Sequence, residues 1–385
     1  MYTLDLIATV PMGLESVVAR EIRELGYEDL HVENGRVTFK GDLLAICRTN
    51  LWLRTADRIL IQMGQFEART FDELFDHTKA IDWSAWIPEQ ASFPVDGRSH
   101  KSDLSSVPAC QGIVKKAIVE NLKQRYHQEW FEETGPRYVI EVSMLNNIAT
   151  LTLDTTGPSL HKRGYRKMVT EAPLKETMAA AMVLLSRWRV GRPLYDPFCG
   201  SGTIAIEAAM IGWNIAPGLR RKFASEEWSL IALEMWEQAR EEAYDAICDD
   251  EPLDIVGSDI DPHAIEVAHA AARAAGFTNQ LSFRVEPIAD ACPRGDYGVL
   301  VTNPPYGERL GDQREAELAL HELAELVVPL PSWSLFVLTP SRQFESYMNR
   351  QVNKKRKLFN GRIECHFLQY LGPLPSLKST EDKRI

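Results

Sequence analysis

The chain has 385 residues, enough for two or three domains with substantial cores, and its 45% hydrophobic and 25% charged composition is that of an ordinary globular protein. No apolar run reaches the length of a membrane span, and Met1-Tyr2-Thr3-Leu4-Asp5 lacks the basic start and apolar core of a secretion signal, so a cytoplasmic location is expected. Cys47, Cys110, Cys199, Cys248, Cys292 and Cys365 are scattered without a CxxC pair, which excludes a zinc pattern and leaves free thiols in a reducing compartment. The net charge of −11, taken alone, argues against nucleic acid.

In chain order, residues 4–10 read as a strand and 13–25 as an amphipathic helix with Leu14, Val17, Val18, Ile22 and Leu25 on one face. Residues 36–40 alternate like a strand, a second helix starts at Asp42, and 59–66 form another strand. This order suits a small ferredoxin-like α+β unit over residues 1–60. A helix from Phe71 leads into aromatics near Trp86, 92–96 read as a strand, and 105–123 as a helix whose apolar face includes Cys110, Val114, Ile118 and Leu122. Residues 138–145 and 149–155 form a hairpin across Asn146-Asn147, and Gly157-Pro158 marks a boundary, so that 61–155 is a second unit and 156–385 a third. Charge is segregated along this path. Residues 98–125 hold six Lys/Arg against two acids, 161–192 eight against two, 351–362 five against none, and 213–259 four against twelve. Such segregation suits one face for an anionic partner and another for water.

The third unit alternates strands and helices, which implies a mainly parallel doubly wound sheet with ligands at the carboxyl ends of its strands. Pro173 opens a helix over 174–188. A short strand then ends in Asp196-Pro197-Phe198-Cys199-Gly200-Ser201-Gly202-Thr203, followed by a helix. The two glycines allow close backbone approach, and the helix start offers free N–H groups to an anionic group. Cys199 has no base beside it and reads as a small packing residue. A second strand, 254–259, ends in Asp259, where such sheets place the acid that holds a ribose; the residues 213–252 before it read as an inserted helical excursion. A third strand covers 281–285. The fourth runs through Thr302 into Asn303-Pro304-Pro305-Tyr306, where two prolines remove N–H donors and leave carbonyls free beside the Asn303 amide and a flat aromatic ring. A fifth strand covers 334–338, a last hairpin turns on Asn360-Gly361, and the chain beyond Gly372 reads as frayed.

These segments, in this order, resemble the class I methyltransferases that modify exocyclic amino groups. Residues 64–74 with 102–106 resemble a THUMP RNA-binding domain, and 160–166, 172–177 and 355–361 are similar to the THUMP-containing guanine-N2 methyltransferases of bacterial 23S ribosomal RNA. The resemblance implies a Rossmann-like, seven-stranded methyltransferase domain using S-adenosyl-L-methionine, preceded by the ferredoxin-like and THUMP units. It assigns the cofactor to Asp196, Phe198, Gly200, Ser201, Gly202, Thr203, Asp259, Ile260, Asp290 and Asn303. Catalysis falls to Asn303 and the Pro304 carbonyl, which accept from the target amine, and to Tyr306, which stacks on an extruded base. RNA contacts are expected from Arg98, His100, Lys101, Lys115, Lys116, Arg163, Arg166, Lys355 and Arg356, while Glu176 and Thr177 suit either the cofactor's methionine end or the dipole of their own helix. No metal is expected. Adenine-N6 methylation and a non-catalytic ribosome-assembly factor are the competing readings. An NAD enzyme is disfavoured because no GxGxxG occurs.

Overall fold

The computed structural model describes residues 3–166, 174–307 and 313–374, so Pro173, expected to open a helix over 174–188, lies outside them. The described chain forms two compact units, one comprising residues up to Val10, Val18–Leu160 and Arg221–Glu242, the other Pro11–Val17, His161–Arg220 and Ala243 onward.

In the first unit the elements are β1 (Leu4–Thr9), α1 (Glu15–Glu24), β2 (Leu30–Glu33), β3 (Arg36–Gly41), α2 (Leu43–Trp52), β4 (Arg58–Glu67), α3 (Phe71–Lys79), β5 (Val95–His100), α4 (Val107–Tyr126), β6 (Val139–Leu145) and β7 (Ile148–Asp154). Side-chain chemistry sets the helix starts: Asp42 accepts from the Ala45 N–H at 2.8 Å, and Thr70 with Glu73 forms a reciprocal capping box. The β6–β7 hairpin turns through Asn146 and Asn147, both at positive φ (51° and 66°), a conformation asparagine tolerates. All seven strands form one sheet in the order β2-β3-β1-β4-β7-β6-β5, so the ferredoxin-like and THUMP segments are continuous through the β4–β7 pair. Strand β2, mostly exposed and without alternation, was not expected from the sequence; it pairs with β3 across Gly35, which sits at φ +77°.

Part of the inserted excursion belongs to this unit. Trp228 stacks on Tyr138 with ring centroids 4.5 Å apart, its Nε1 donates to the Arg137 carbonyl at 3.1 Å, and Ser225 Oγ donates to the Thr155 carbonyl at 2.8 Å. Arg48 grips Glu242 through two hydrogen bonds of 2.6 and 2.7 Å, the bidentate geometry that makes an Arg–carboxylate pair specific.

The second unit holds α5 (Glu176–Ser186), β8 (Leu194–Asp196), α6 (Thr203–Gly212), the end of α7 (Leu233–Asp245), β9 (Ile255–Asp259), α8 (Pro262–Ala275), β10 (Ser282–Val285), β11 (Val299–Thr302), α9 (Gln313–Val327), β12 (Ser334–Thr339), α10 (Phe344–Tyr347), β13 (Lys354–Asn360) and β14 (Ile363–Tyr370). Its sheet runs β10-β9-β8-β11-β12-β14-β13, with the first five strands parallel and β14 and β13 antiparallel. Strands β8, β11 and β12 are continuous buried runs, as a sheet covered on both faces requires. The strand order reverses at β8, which opens a crevice at the carboxyl ends of β8 and β11. The last hairpin closes one residue later than the sequence indicated. Asn360 is the final residue of β13 and pairs with Ile363, so the two-residue loop is Gly361-Arg362, with Gly361 at φ +62°.

Candidate active site

The loop after β8 is shaped by hydrogen bonds that the sequence makes to itself. Asp196 Oδ1 accepts from the Phe198 N–H at 3.2 Å and from Thr302 Oγ1 at 2.6 Å, joining the ends of β8 and β11. Gly200 and Gly202 take positive φ (49° and 74°), and the Gly202 N–H donates back to the Cys199 carbonyl at 2.8 Å. Cys199 is buried and packs on Gly257, where any Cβ would lie 2.9 Å from the Cys199 Cβ; burial pushes its thiol well above the usual range, so it is a packing residue. Asp259 completes the loop from the next strand: its Oδ2 accepts from the Gly200 N–H at 2.9 Å and its Oδ1 from the Asp261 N–H at 3.0 Å.

These residues meet at a cavity of about 790 Å³ lined by Asp196, Phe198, Gly200, Ser201, Thr203, Asp259, Ile260 and Asn303, among others. Asp196 is 1% exposed, and its second oxygen, Oδ2, has no partner among the described residues. Burial pushes its carboxyl up to about 7, with the Asp259 charge adding to the shift and the Thr302 and Phe198 hydrogen bonds opposing it. A buried, unpartnered carboxylate oxygen beside a cavity fits a cationic ligand group. A Cβ on Gly200 would meet nothing within 4 Å, so the loop offers bare backbone and open space there. Ile260 is 72% exposed beside the same cavity, an apolar surface available to a flat ring. Asp290 is exposed at the end of a short 3-10 turn and is not among the lining residues, whereas its neighbours Pro287, Ile288 and Ala289 are.

Of the Asn-Pro-Pro-Tyr stretch, Asn303 and Pro305 line the cavity, while Pro304 is buried and Tyr306 half-buried outside the lining. The Tyr306 hydroxyl donates to Asn303 Oδ1 at 2.5 Å, a side-chain bond closing a turn whose prolines can donate none. Asn360 Nδ2 in turn donates to the Tyr306 oxygen at 3.3 Å. One wall was missed by the sequence reading. Glu315, Leu318, Ala319 and Glu322 of α9 share a face at helical spacing and line the cavity, and the signal was Leu318, an apolar residue off the helix's Ala316-Leu320-Leu323-Val327 stripe that the structure leaves 57% exposed.

The basic residues sort by burial. Arg163 is 3% exposed, its Nε 3.4 Å from Glu207 Oε1, with Tyr165 donating to the same oxygen at 3.1 Å; it is an interior charge and not the expected phosphate contact. Arg166 also turns inward, donating to Thr203 Oγ1 at 2.6 Å and the Leu174 carbonyl at 3.0 Å and pairing with Glu176 at 3.6 Å, so it braces the glycine loop. Lys115 is committed as well: its ammonium lies 2.5 Å from Glu133, donates to the Phe93 carbonyl and sits 3.4 Å over the Phe93 ring. Arg356 donates to the Gly13 carbonyl at 2.7 Å, and Lys355 pairs with Glu345 at 2.5 Å. Arg98 is exposed but holds Glu141 at 2.9 Å. His100, Lys101 and Lys116 are exposed, Lys116 above the Phe75 ring at 5.7 Å. No cluster of metal-ligating side chains occurs among the described residues.

A doubly wound sheet with a glycine loop after its first strand, an acid after its second and Asn-Pro-Pro-Tyr after its fourth defines a class I methyltransferase. Residues 163–369 match the family described as RMKL-like, methyltransferase domain; residues 5–60 match the RlmL ferredoxin-like domain and 68–154 the THUMP domain. The chain belongs to the RMKL-like methyltransferase family. It is 52% identical over 385 residues to the putative RNA methyltransferase YpsC of Bacillus subtilis, covering 99% of this chain and 100% of that one. It is 32% identical over 376 residues to the ribosomal RNA large subunit methyltransferase K/L of Shewanella frigidimarina, covering 95% of this chain but only 52% of that protein, so it spans about half that relative's length. A solved structure of SMU.472, a putative methyltransferase complexed with SAH, superposes with a TM-score of 0.93 at 46% identity, covering 98% of this chain and 100% of that one.

Proposed function

We propose that this protein transfers a methyl group from S-adenosyl-L-methionine to the exocyclic N2 of a guanosine in large-subunit ribosomal RNA. The observation that carries the reading is the meeting of Asn303 with Asp196, Gly200 and Asp259 around one cavity. The cofactor supplies a methyl on a positively charged sulfur. Asp196 Oδ2 would take its ammonium, the Gly200–Thr203 backbone its amino-acid end and Asp259 its ribose, with Ile260 and the lining residues Ile288 and Ala289 against the adenine; Asp290, outside the lining, is given no contact. Asn303 Oδ1 and the Pro304 carbonyl accept from the target amine and direct its lone pair at the methyl, stabilising the positive charge that develops on nitrogen. Tyr306 stacks on the extruded base. The THUMP match supports an RNA substrate, and the name of the 32% relative supports the large-subunit choice.

The test is transfer of labelled methyl to 23S rRNA lacking the modification, followed by nucleoside analysis. N2-methylguanosine is expected. N6-methyladenosine would move the assignment to adenine, and cofactor binding without any transfer would make the protein an assembly factor. Within the site, Asn303→Ala is expected to keep SAH affinity and to lower kcat by about 10²–10³-fold, the scale of losing one group that stabilises developing charge. Equal loss of both would remove Asn303 from the chemistry.

A further inference from the structure

The Asn303 amide can help catalysis only if its oxygen, and not its nitrogen, faces the target amine. Oxygen accepts and stabilises the developing charge, while an N–H pointed at the amine would oppose it. Asn303 alone cannot choose, because the two ends of an amide are nearly the same shape. Tyr306 alone cannot choose either, because a phenol hydroxyl both donates and accepts. The choice depends on what the phenol is given to accept.

That group comes from the far end of the second unit's sheet. Asn360 closes β13 in register with Ile363, and it shares a strand face with Leu358, which is fully buried. The loop begins only at Gly361, so the Asn360 side chain is not used in the turn. It reaches the Asn-Pro-Pro-Tyr stretch, where Nδ2 donates to the Tyr306 oxygen at 3.3 Å, and the Tyr306 hydroxyl donates onward to Asn303 Oδ1 at 2.5 Å. The chain therefore has a direction. With its oxygen receiving a proton donor from Asn360, Tyr306 directs its own hydrogen to Asn303, and each bond polarises the next. A carbonyl oxygen has two lone pairs, so Asn303 Oδ1 keeps one for the substrate.

We propose that Asn360 is a positioning residue that acts through Tyr306 to set which end of the Asn303 amide meets the target amine. The proposal rests on the reading of Asn303 as the acceptor in methyl transfer. Its distinctive consequence is that the polarity of residue 360 matters more than its size. Asn360→Asp keeps the shape but ionised aspartate cannot donate; Tyr306 then donates to residue 360, its oxygen accepts from Asn303 Nδ2, and the amide turns round.

The experiment measures single-turnover methyl transfer to unmodified 23S rRNA, alongside SAH affinity and melting temperature, for N360A, N360D, Y306F and both double variants. N360A is expected to lower the rate about tenfold, the worth of one hydrogen bond. N360D is expected to lower it about a hundredfold, the scale of a misdirected charge-stabilising group. SAH affinity stays unchanged in both. In the Y306F background, where there is no hydroxyl to direct, N360A and N360D add less than about twofold, since residues acting in one chain are non-additive. An N360D rate equal to that of wild type, or losses that multiply in the double variants, would overturn the proposal. If N360D is unfolded by its melting curve, the N360A–Y306F pair decides by the same non-additivity. N303A serves as the reference: full activity in N303A would sink the parent reading, whereas an inactive N303A with an unaffected N360D sinks this inference alone.

Discussion

At the scale of single residues, Asp196 shows how a buried charge reports on what it waits for. Its carboxyl is pushed up to about 7 by burial, and one oxygen has no partner among the described residues. In the free protein the raised pKa means that the folded state holds the proton more tightly than the unfolded chain. This contribution to stability is full below about pH 4 and is lost as pH rises through about 7. A cationic ligand reverses the preference, because it requires the carboxylate. Binding then expels the proton, so affinity falls as pH drops below about 7, by up to about tenfold per pH unit, and is flat above it. Titration calorimetry of SAH between pH 5.5 and 8.5 should show that slope in the wild type and a weak, pH-independent affinity in Asp196→Asn. A sloping D196N profile would place the titrating group elsewhere.

At the scale of elements, the two loop glycines are needed for different reasons, and substitution should separate them. Gly202 sits at φ +74° as the cap of α6, and a Cβ there would come within 2.9 Å of the Phe283 ring on β10 and 3.1 Å of Ala268 on α8. Gly202→Ala therefore strains the backbone and pushes on two elements. A loss of about 2 kcal/mol, of which left-handed φ supplies about 1–2, should lower the melting temperature by roughly 4–8 °C. Gly200, at φ +49°, shares the left-handed strain but faces open space, so Gly200→Ala escapes the clash and intrudes on the ligand instead; it should lose SAH affinity with a smaller change in melting temperature. Thermal melts with and without SAH distinguish the two, and identical behaviour would refute the division of roles. The same loops explain what was legible beforehand. A strand ending in a glycine turn, an acid or two prolines is read locally, because each residue type is dictated by one backbone or ligand requirement. The burial of Arg163 and Arg166 and the pairing of Lys115 were not legible, because they lie in charge-rich stretches where periodicity does not report burial, and their partners Glu207, Glu176 and Glu133 are set by tertiary packing. The last hairpin was placed one residue early because Asn360-Gly361 and Gly361-Arg362 both suit a two-residue loop, and only the Asn360–Ile363 pairing selects between them. The docking of Trp228 on Tyr138 links residues distant in sequence and left no local signature.

At the scale of the whole molecule, a chain of net charge −11 that binds RNA must do so through local surface, because its overall field repels phosphate. Sorting the basic residues by burial narrows that surface. In the first unit Lys101 and Lys116 are exposed, while Lys115, half-buried at 30% side-chain exposure, is held by Glu133. Burial holds the Lys115 pKa below its usual value against the opposing Glu133 contact, so this ammonium is partly desolvated and already paired within the fold. Phosphate neutralisation releases counterions, so each lysine that meets the RNA backbone contributes about 0.7–0.9 to the slope of log affinity against log salt. The paired variant Lys101→Ala/Lys116→Ala is accordingly expected to bind 23S rRNA fragments more weakly and to flatten that slope by about 1.4–1.8, with an unchanged melting temperature. Lys115→Ala should behave in the opposite way: it removes the Glu133 and Phe93 carbonyl partners of one ammonium and empties the space over Phe93, lowering the melting temperature while leaving the slope as it was. Filter-binding from 50 to 300 mM salt reads both. A slope change in Lys115→Ala, with none in the double variant, would mean that the RNA meets the unit by a face other than the one these exposed lysines mark.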